Sequence, residues 1–213
     1  MSENTVKTGT TTVGLICKEG IVLAADTRAT AGYMVVDKKA QKIYQIFDNI
    51  AVTIAGTVSD VQLLIKLLKA ELNLKRYRTN RVMVNVRESA NLLADMVYNN
   101  IRKYSLIPGI SHFIIGGFDQ QGLELYDLYP DGSLTKVEDY VSSGSGSVFA
   151  YGVLESQYKK DMLISEAHKL AVKAMNAALQ RDIATGNGID VVLITSKGIE
   201  RQAPRRLELS IEA

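Results

Sequence analysis

The chain has 213 residues, 46% of them apolar and 23% charged, with 25 Lys and Arg set against 23 Asp and Glu for a formal charge of +2. That balance describes one ordinary globular core and excludes the disordered and fibrous classes. No dense basic run exists beyond Arg205 and Arg206, so nucleic-acid binding has no electrostatic footing, and no window of about 18 apolar residues argues for a membrane-spanning helix.

The first nine residues, MSENTVKTG, are polar and lack the apolar centre of a secretory signal, so they need another explanation. From Thr10 the text runs TTTVGLICKEGIVLAAD, two β-rich stretches around a KEG hairpin signal. Further strands are predicted at YMVVD, QKIYQIF and NIAVTIAG. After Gly56 the period changes: Val61, Leu64, Ile65, Leu68 and Leu72 share one helical face, with Ser59 and Gln62 spaced as a capping box. Asn85 and Glu88 repeat that start signal before a second helix carrying Leu92, Leu93, Met96, Val97 and Ile101.

Alternation then returns in SHFIIGGFD, LELYDLYP and SLTKVED, with DQQG and PDG as turns. SSGSGS reads as a flexible turn before a helix at SVFAYGVLESQY, and a longer helix is predicted from about Ser165 to Arg181 with Ala167, Ala171, Ala174 and Ala178 on its packing face. A hairpin of IDVVLIT and GIERQA around SKG follows, and the last stretch, LSIEA, either reaches a neighbouring subunit or frays. Strands, two helices, strands, two helices and strands suit an α+β fold, a four-layer αββα sandwich of two antiparallel sheets flanked by helix pairs.

Few residues offer chemistry. Cys17, the single cysteine, sits at an apolar strand position without a histidine beside it and reads as core in a reducing compartment. His112 and His168 have no metal-ligand spacing, and SSGSGS fits neither the nucleophile elbow of a serine hydrolase nor a phosphate loop. Threonine needs a base, and one solution makes it the first residue of a chain so that its own α-amine serves. A cut between Gly9 and Thr10 would create that amine, making residues 1–9 a removable propeptide and 10–213 a single catalytic domain. Lys42 could supply a cation, Asp26 at the end of IVLAAD could hold its head, and Gly56 in TIAGT could offer a backbone donor to an oxyanion.

In order and spacing, TGTTTVG, LAADTRAT, KIYQI, TIAGTVSD, GSGS before FAYGVLE, and QRD before ID resemble the catalytic β subunits of the 20S proteasome, archaeal type, over nearly the whole chain from Gly9. The resemblance implies the N-terminal nucleophile hydrolase fold and a threonine endopeptidase, made as a zymogen, that degrades unfolded proteins in the cytoplasm. It also implies stacked seven-membered rings with α subunits and other β subunits, a separate ATP-dependent unfoldase, and no cofactor, metal, nucleic acid or membrane. It matches Thr10 to the nucleophile freed by autocleavage, Asp26 and Lys42 to the pair that sets its protonation, and Gly56 to the oxyanion donor. Ser145 and Asp182 match the pair that orients the amine. The family pattern has a serine where Thr185 stands and a glycine where Asn187 stands; the first departure keeps a hydroxyl and the second a residue that tolerates left-handed backbone. Ala29, Ala40, Tyr44, Ile54 and Val58 match an uncharged pocket for the side chain before the cut, which implies preference for apolar residues there.

Two other readings stay open at this level. One is an uncleaved, structural β subunit of the same particle. The other is a different N-terminal nucleophile amidase or the bacterial two-ring relative.

Overall fold

The computed structural model describes residues 9–80, 83–106 and 108–206. The predicted propeptide, apart from Gly9, and the LSIEA segment lie outside the described residues.

Two antiparallel sheets dominate. The first is ordered β10-β1-β2-β11-β12, built from β1 (Thr11–Cys17), β2 (Gly20–Asp26), β10 (Tyr140–Gly144), β11 (Gly188–Thr195) and β12 (Gly198–Arg201), with β13 (Arg205–Arg206) also pairing β11. The second is ordered β5-β6-β7-β8-β9, from β5 (Ile43–Phe47), β6 (Ile50–Gly56), β7 (Ser111–Asp119), β8 (Gly122–Leu128) and β9 (Leu134–Val137). A separate hairpin of β3 (Ala29–Ala31) and β4 (Met34–Asp37) stands apart from both. The helices are α1 (Val58–Thr79), α2 (Val86–Ile101), α3 (Ser147–Gln157) and α4 (Ile164–Arg181).

Alternation along each strand divides the core into three apolar layers. Phe113 and Ile115 face α1 and α2, where they meet Leu68, Leu72 and Leu93. Val13, Leu15 and Val191 face α3 and α4 and meet Leu154, Ala171 and Met175. Ile21, Leu23, Ile114, Leu125 and Val192 fill the space between the sheets. The result is the predicted four-layer αββα sandwich: a strand buried on both faces has no polar side to spare, and the all-buried pattern of β2 is that signature. The alanine face of α4 is fully buried against the first sheet, where short side chains let helix and strands approach closely.

Several local expectations are corrected. The helix α1 starts at Val58 with Thr57 as N-cap and no side-chain cap, so Ser59 and Gln62 do not form a capping box; Ser59 donates instead to Asp60. The start moves forward because Gly56 turns the chain at φ +121° and Thr57 N is engaged by the Ile110 carbonyl. Asn85, by contrast, caps α2 as predicted, its Oδ1 accepting from Glu88 N at 2.8 Å. Of SSGSGS, Ser142, Ser143 and Gly144 are strand rather than turn, paired with Val13, Thr12 and Thr11 of β1. Residues of YMVVD do form a strand, β4, but it is exposed along its length. Cys17 is buried, as predicted, and its Sγ donates to the Gly20 carbonyl.

Candidate active site

Thr10 immediately precedes β1 and is buried. Its Oγ1 donates to the Gly9 carbonyl at 2.7 Å and accepts from Lys42 Nζ at 2.9 Å. Lys42, just before β5, also reaches Asp26 Oδ1 at 2.8 Å and the Gly9 carbonyl at 3.3 Å. Asp26 closes β2 and is completely buried. Its Oδ1 accepts from Thr11 N at 3.0 Å, and its Oδ2 from Arg28 N at 2.9 Å and Gly186 N at 3.1 Å. A buried carboxylate with three backbone donors and one ammonium is satisfied, which is what keeps a charge tolerable there. Burial drives the Lys42 pKa below the ordinary lysine value near 10.5, with the charge and hydrogen bond of Asp26 opposing that fall.

A second cluster lies on the other side of Thr10. Asp182, the C-cap of α4, accepts from Ser145 Oγ and Thr185 Oγ1, each at 2.6 Å, through Oδ2. Ser145 Oγ is 3.4 Å from the Thr10 carbonyl, and Thr185 Oγ1 lies 2.6 Å from Thr11 Oγ1. The structure therefore brings together Thr10, Asp26, Lys42, Ser145, Asp182 and Thr185, although they are scattered over more than 170 positions of sequence.

Two glycines are there for space. A Cβ on Gly9 would stand 1.7 Å from the Ala184 Cβ, so no larger residue fits in front of Thr10 without displacing the Ala184 turn. Gly56 combines its positive φ with a carbonyl, that of Ile110, at 2.2 Å from where a Cβ would be. Asn187 holds the left-handed φ of 65° expected of it, and its Oδ1 accepts from Arg28 Nε at 2.8 Å.

A cavity of about 290 Å³ opens beside Thr10 and is lined by Ala29, Ala40, Tyr44, Ile54 and Val58, the five residues named from sequence. The expectation that no charge lines it is wrong: Asp37, Arg28 and Lys42 border it as well. Ala29, Thr30, Val36 and Asp37 of the β3-β4 hairpin line it, a placement no local pattern could reveal. The Asp37 carboxylate is exposed and accepts from Lys39 N, while Arg28 donates to the Ile183 carbonyl and to Asn187; the buried Lys42 remains a charged part of the lining. A second cavity of about 480 Å³ lies on the other side and shares Gly9, Thr10, Ala55 and Gly56 with the first.

Sequence reasoning missed Arg28, Thr30, Thr11 and His112. Thr30 Oγ1 accepts from Gly9 N at 3.3 Å, and Arg28 braces the loop that carries Asp182 and Thr185. The adjoining TRAT of Asp26 was the only local signal. Among the described residues no cluster of three His, Cys, Asp or Glu could hold a metal, and no helix is long and apolar enough to cross a membrane.

A family model described as proteasome subunit matches residues 6–194 of this chain. The chain belongs to the proteasome family. Among its relatives, a protein named proteasome subunit beta from Ferroglobus placidus is 42% identical over 212 residues, covering 100% of this chain and 99% of its own. Its namesake from Archaeoglobus fulgidus is 40% identical over 208 residues, 98% of this chain and 95% of its own. Another, from Methanocaldococcus vulcanius, is 43% identical over 193 residues, 90% and 84%. The recognition drawn from the motifs, an archaeal-type proteasome β subunit, agrees with these relatives, and membership implies assembly with other subunits into a proteasome particle.

Proposed function

We propose that this proteasome-family chain is a catalytic β subunit, a threonine endopeptidase activated by cleavage between Gly9 and Thr10. One observation carries the reading: Thr10 Oγ1 is held 2.9 Å from a buried ammonium that Asp26 fixes from behind, while the same ammonium reaches the Gly9 carbonyl oxygen. A nucleophile, a cation and the carbonyl to be attacked share one contact. In processing, the Thr10 hydroxyl oxygen bonds to the Gly9 carbonyl carbon and its proton passes to the Thr10 nitrogen, with the Lys42 ammonium countering the charge on the carbonyl oxygen. The C–N bond then breaks, leaving an ester that water hydrolyses to a Gly9 carboxylate and a free hydroxyl. Residues 1–9 leave as propeptide, and 10–213 remain as the catalytic domain.

The freed α-amine, with an ordinary pKa near 8, takes the Thr10 proton when a substrate carbonyl is attacked and returns it to the leaving amine. Ser145, Asp182 and Thr185 hold the threonine end in place for this exchange, and the Gly56 N–H serves the oxyanion. The cavity bordered by Ala29, Ala40, Tyr44, Ile54 and Val58 takes an apolar side chain before the cut; a panel of fluorogenic peptides is expected to show apolar residues cleaved fastest, and a preference for acidic or basic ones would refute that pocket. Substrates are unfolded polypeptides reaching the site inside stacked seven-membered rings of α and β subunits in the cytoplasm, fed by an ATP-dependent unfoldase.

The test is the intact mass and N-terminal residue of the chain after assembly with an α partner, beside Thr10→Ala. Loss of residues 1–9 in the wild type alone supports the reading. A full-length chain in a complete, inactive particle would make this a structural subunit.

A further inference from the structure

The second cavity shares Gly9, Thr10, Gly56, Ser145 and Asp182 with the site above, but His112 on its wall has no part in that chemistry. His112 is the cross-strand partner of Ala55 in the β6-β7 register, one residue before Gly56, which places its ring at the margin of the cavity that includes Thr10. Its Nε2 lies 2.6 Å from Asp127 Oδ1, with side-chain exposures of 17% and 5%. Its ring also packs against that of Tyr129 with centroids 5.1 Å apart, and the charge of Asp127, followed by burial, raises the Tyr129 pKa. The ring is thus fixed from two sides.

We propose that this cavity receives the side chain of a residue following the cut, and that His112, held by Asp127, selects there for a long side chain with a hydrogen-bond-donating tip, of the tyrosine, lysine or arginine kind. The proposal rests on the reading of Thr10 as nucleophile. If the scissile carbonyl is at Thr10, the two halves of a bound peptide leave in different directions, and the two cavities meet at Thr10, Ala55 and Gly56. The smaller one takes the residue before the cut, so the larger is left for the departing half.

Its chemistry is selective. Tyr33, Ile110, Pro130 and Ile183 give it apolar walls. In the tautomer that donates Nε2–H to Asp127, Nδ1 is an acceptor. Asp182 is the charged residue on the wall, and no Lys or Arg among the described residues lines it, in contrast to the first cavity. An apolar stem with a donating tip meets both requirements, whereas an acidic tip faces the Asp182 carboxylate with no Lys or Arg among the described residues on the wall to offset it.

The experiment uses the assembled particle and peptides identical before the cut but carrying Tyr, Arg, Lys, Leu or Glu after it, with products mapped by mass spectrometry. Tyr, Arg and Lys are expected to exceed Leu by roughly three- to tenfold in kcat/KM, one hydrogen bond's worth, with Glu slowest. His112→Phe, which keeps a ring and removes the acceptor, should collapse that ratio, His112→Gln should restore part of it, and His168→Gln, remote from the cavity, should leave it unchanged. An unaltered ratio in His112→Phe, or Leu cleaved as fast as Tyr by the wild type, overturns the proposal. Binding of the tripeptide amides Tyr-Ala-Ala and Leu-Ala-Ala to the wild-type particle, measured by calorimetry, decides the same question without catalysis: tighter binding of the first supports the site, and equal binding overturns it. Absence of any hydrolysis would sink the nucleophile reading, and the binding comparison would still decide this one.

Discussion

The two polar clusters that touch Thr10 differ in how they are held. Lys42 and Asp26 are withdrawn from water, with side-chain exposures of 6% and 0%, and three backbone N–H groups from separate segments fix the carboxylate. Ser145 is exposed and Asp182 half-buried, joined by hydroxyl groups that can rotate, and within that cluster only Thr185 is buried. The first cluster depends on charges with no solvent to fall back on, so replacement there is expected to cost the most. The second rests on hydrogen bonds of a kind that a different hydroxyl or a water can also supply.

The largest expected effect removes the point where the clusters meet. Thr10→Ala should lower peptide hydrolysis by on the order of 10³-fold or more and leave the chain full length, read from kinetics and intact mass. Lys42→Met breaks the buried pair and strands Asp26; the cost expected from unpairing a buried charge is about 3 kcal/mol, at the low end because three amides remain, and a denaturant titration checks it.

The same variant tests the pH behaviour. With its folded pKa lowered, Lys42 releases its proton before the unfolded chain does. Between that lowered pKa and about 10.5 the unfolded state therefore binds more protons, and stability from this group rises with pH; below the window the contribution is at its least favourable. The stability difference between wild type and Lys42→Met should carry that slope, and a flat difference would contradict it.

The outer cluster should give smaller numbers. Asp182→Asn weakens charge-assisted bonds from Ser145 and Thr185 and is expected to reduce kcat by roughly ten- to a hundredfold without a matching loss of stability. Thr185→Ser keeps the hydroxyl and removes one methyl, so activity should change by less than about threefold, whereas Thr185→Val should resemble Asp182→Asn. Equal sensitivity of Thr185→Ser and Lys42→Met would erase the distinction between the clusters.

Much of this was legible beforehand because it is local. The helical face of Val61, Leu64, Ile65, Leu68 and Leu72 is buried residue for residue, and the alanine face of α4 needed only periodicity. The misreadings share a cause. Gly56 was legible as a junction, but the carbonyl of Ile110 that moves the start of α1 comes from 54 positions away in sequence. Ser142 and Ser143 look like turn residues and became strand because β1 offered them a ladder, a tertiary partner overriding local preference.

The sequence by itself determined the layer order, the strand and helix periods and the residue types at the candidate site, since hydrophobic periodicity and glycine chemistry act within a few residues. Only the tertiary structure decided that Asp37 borders the first cavity, that Arg28 braces the Asp182 loop and that His112 faces the second cavity with Asp127 behind it. Those facts depend on which strands become neighbours, and a carboxylate has no preference of its own for the chain segment that will enclose it.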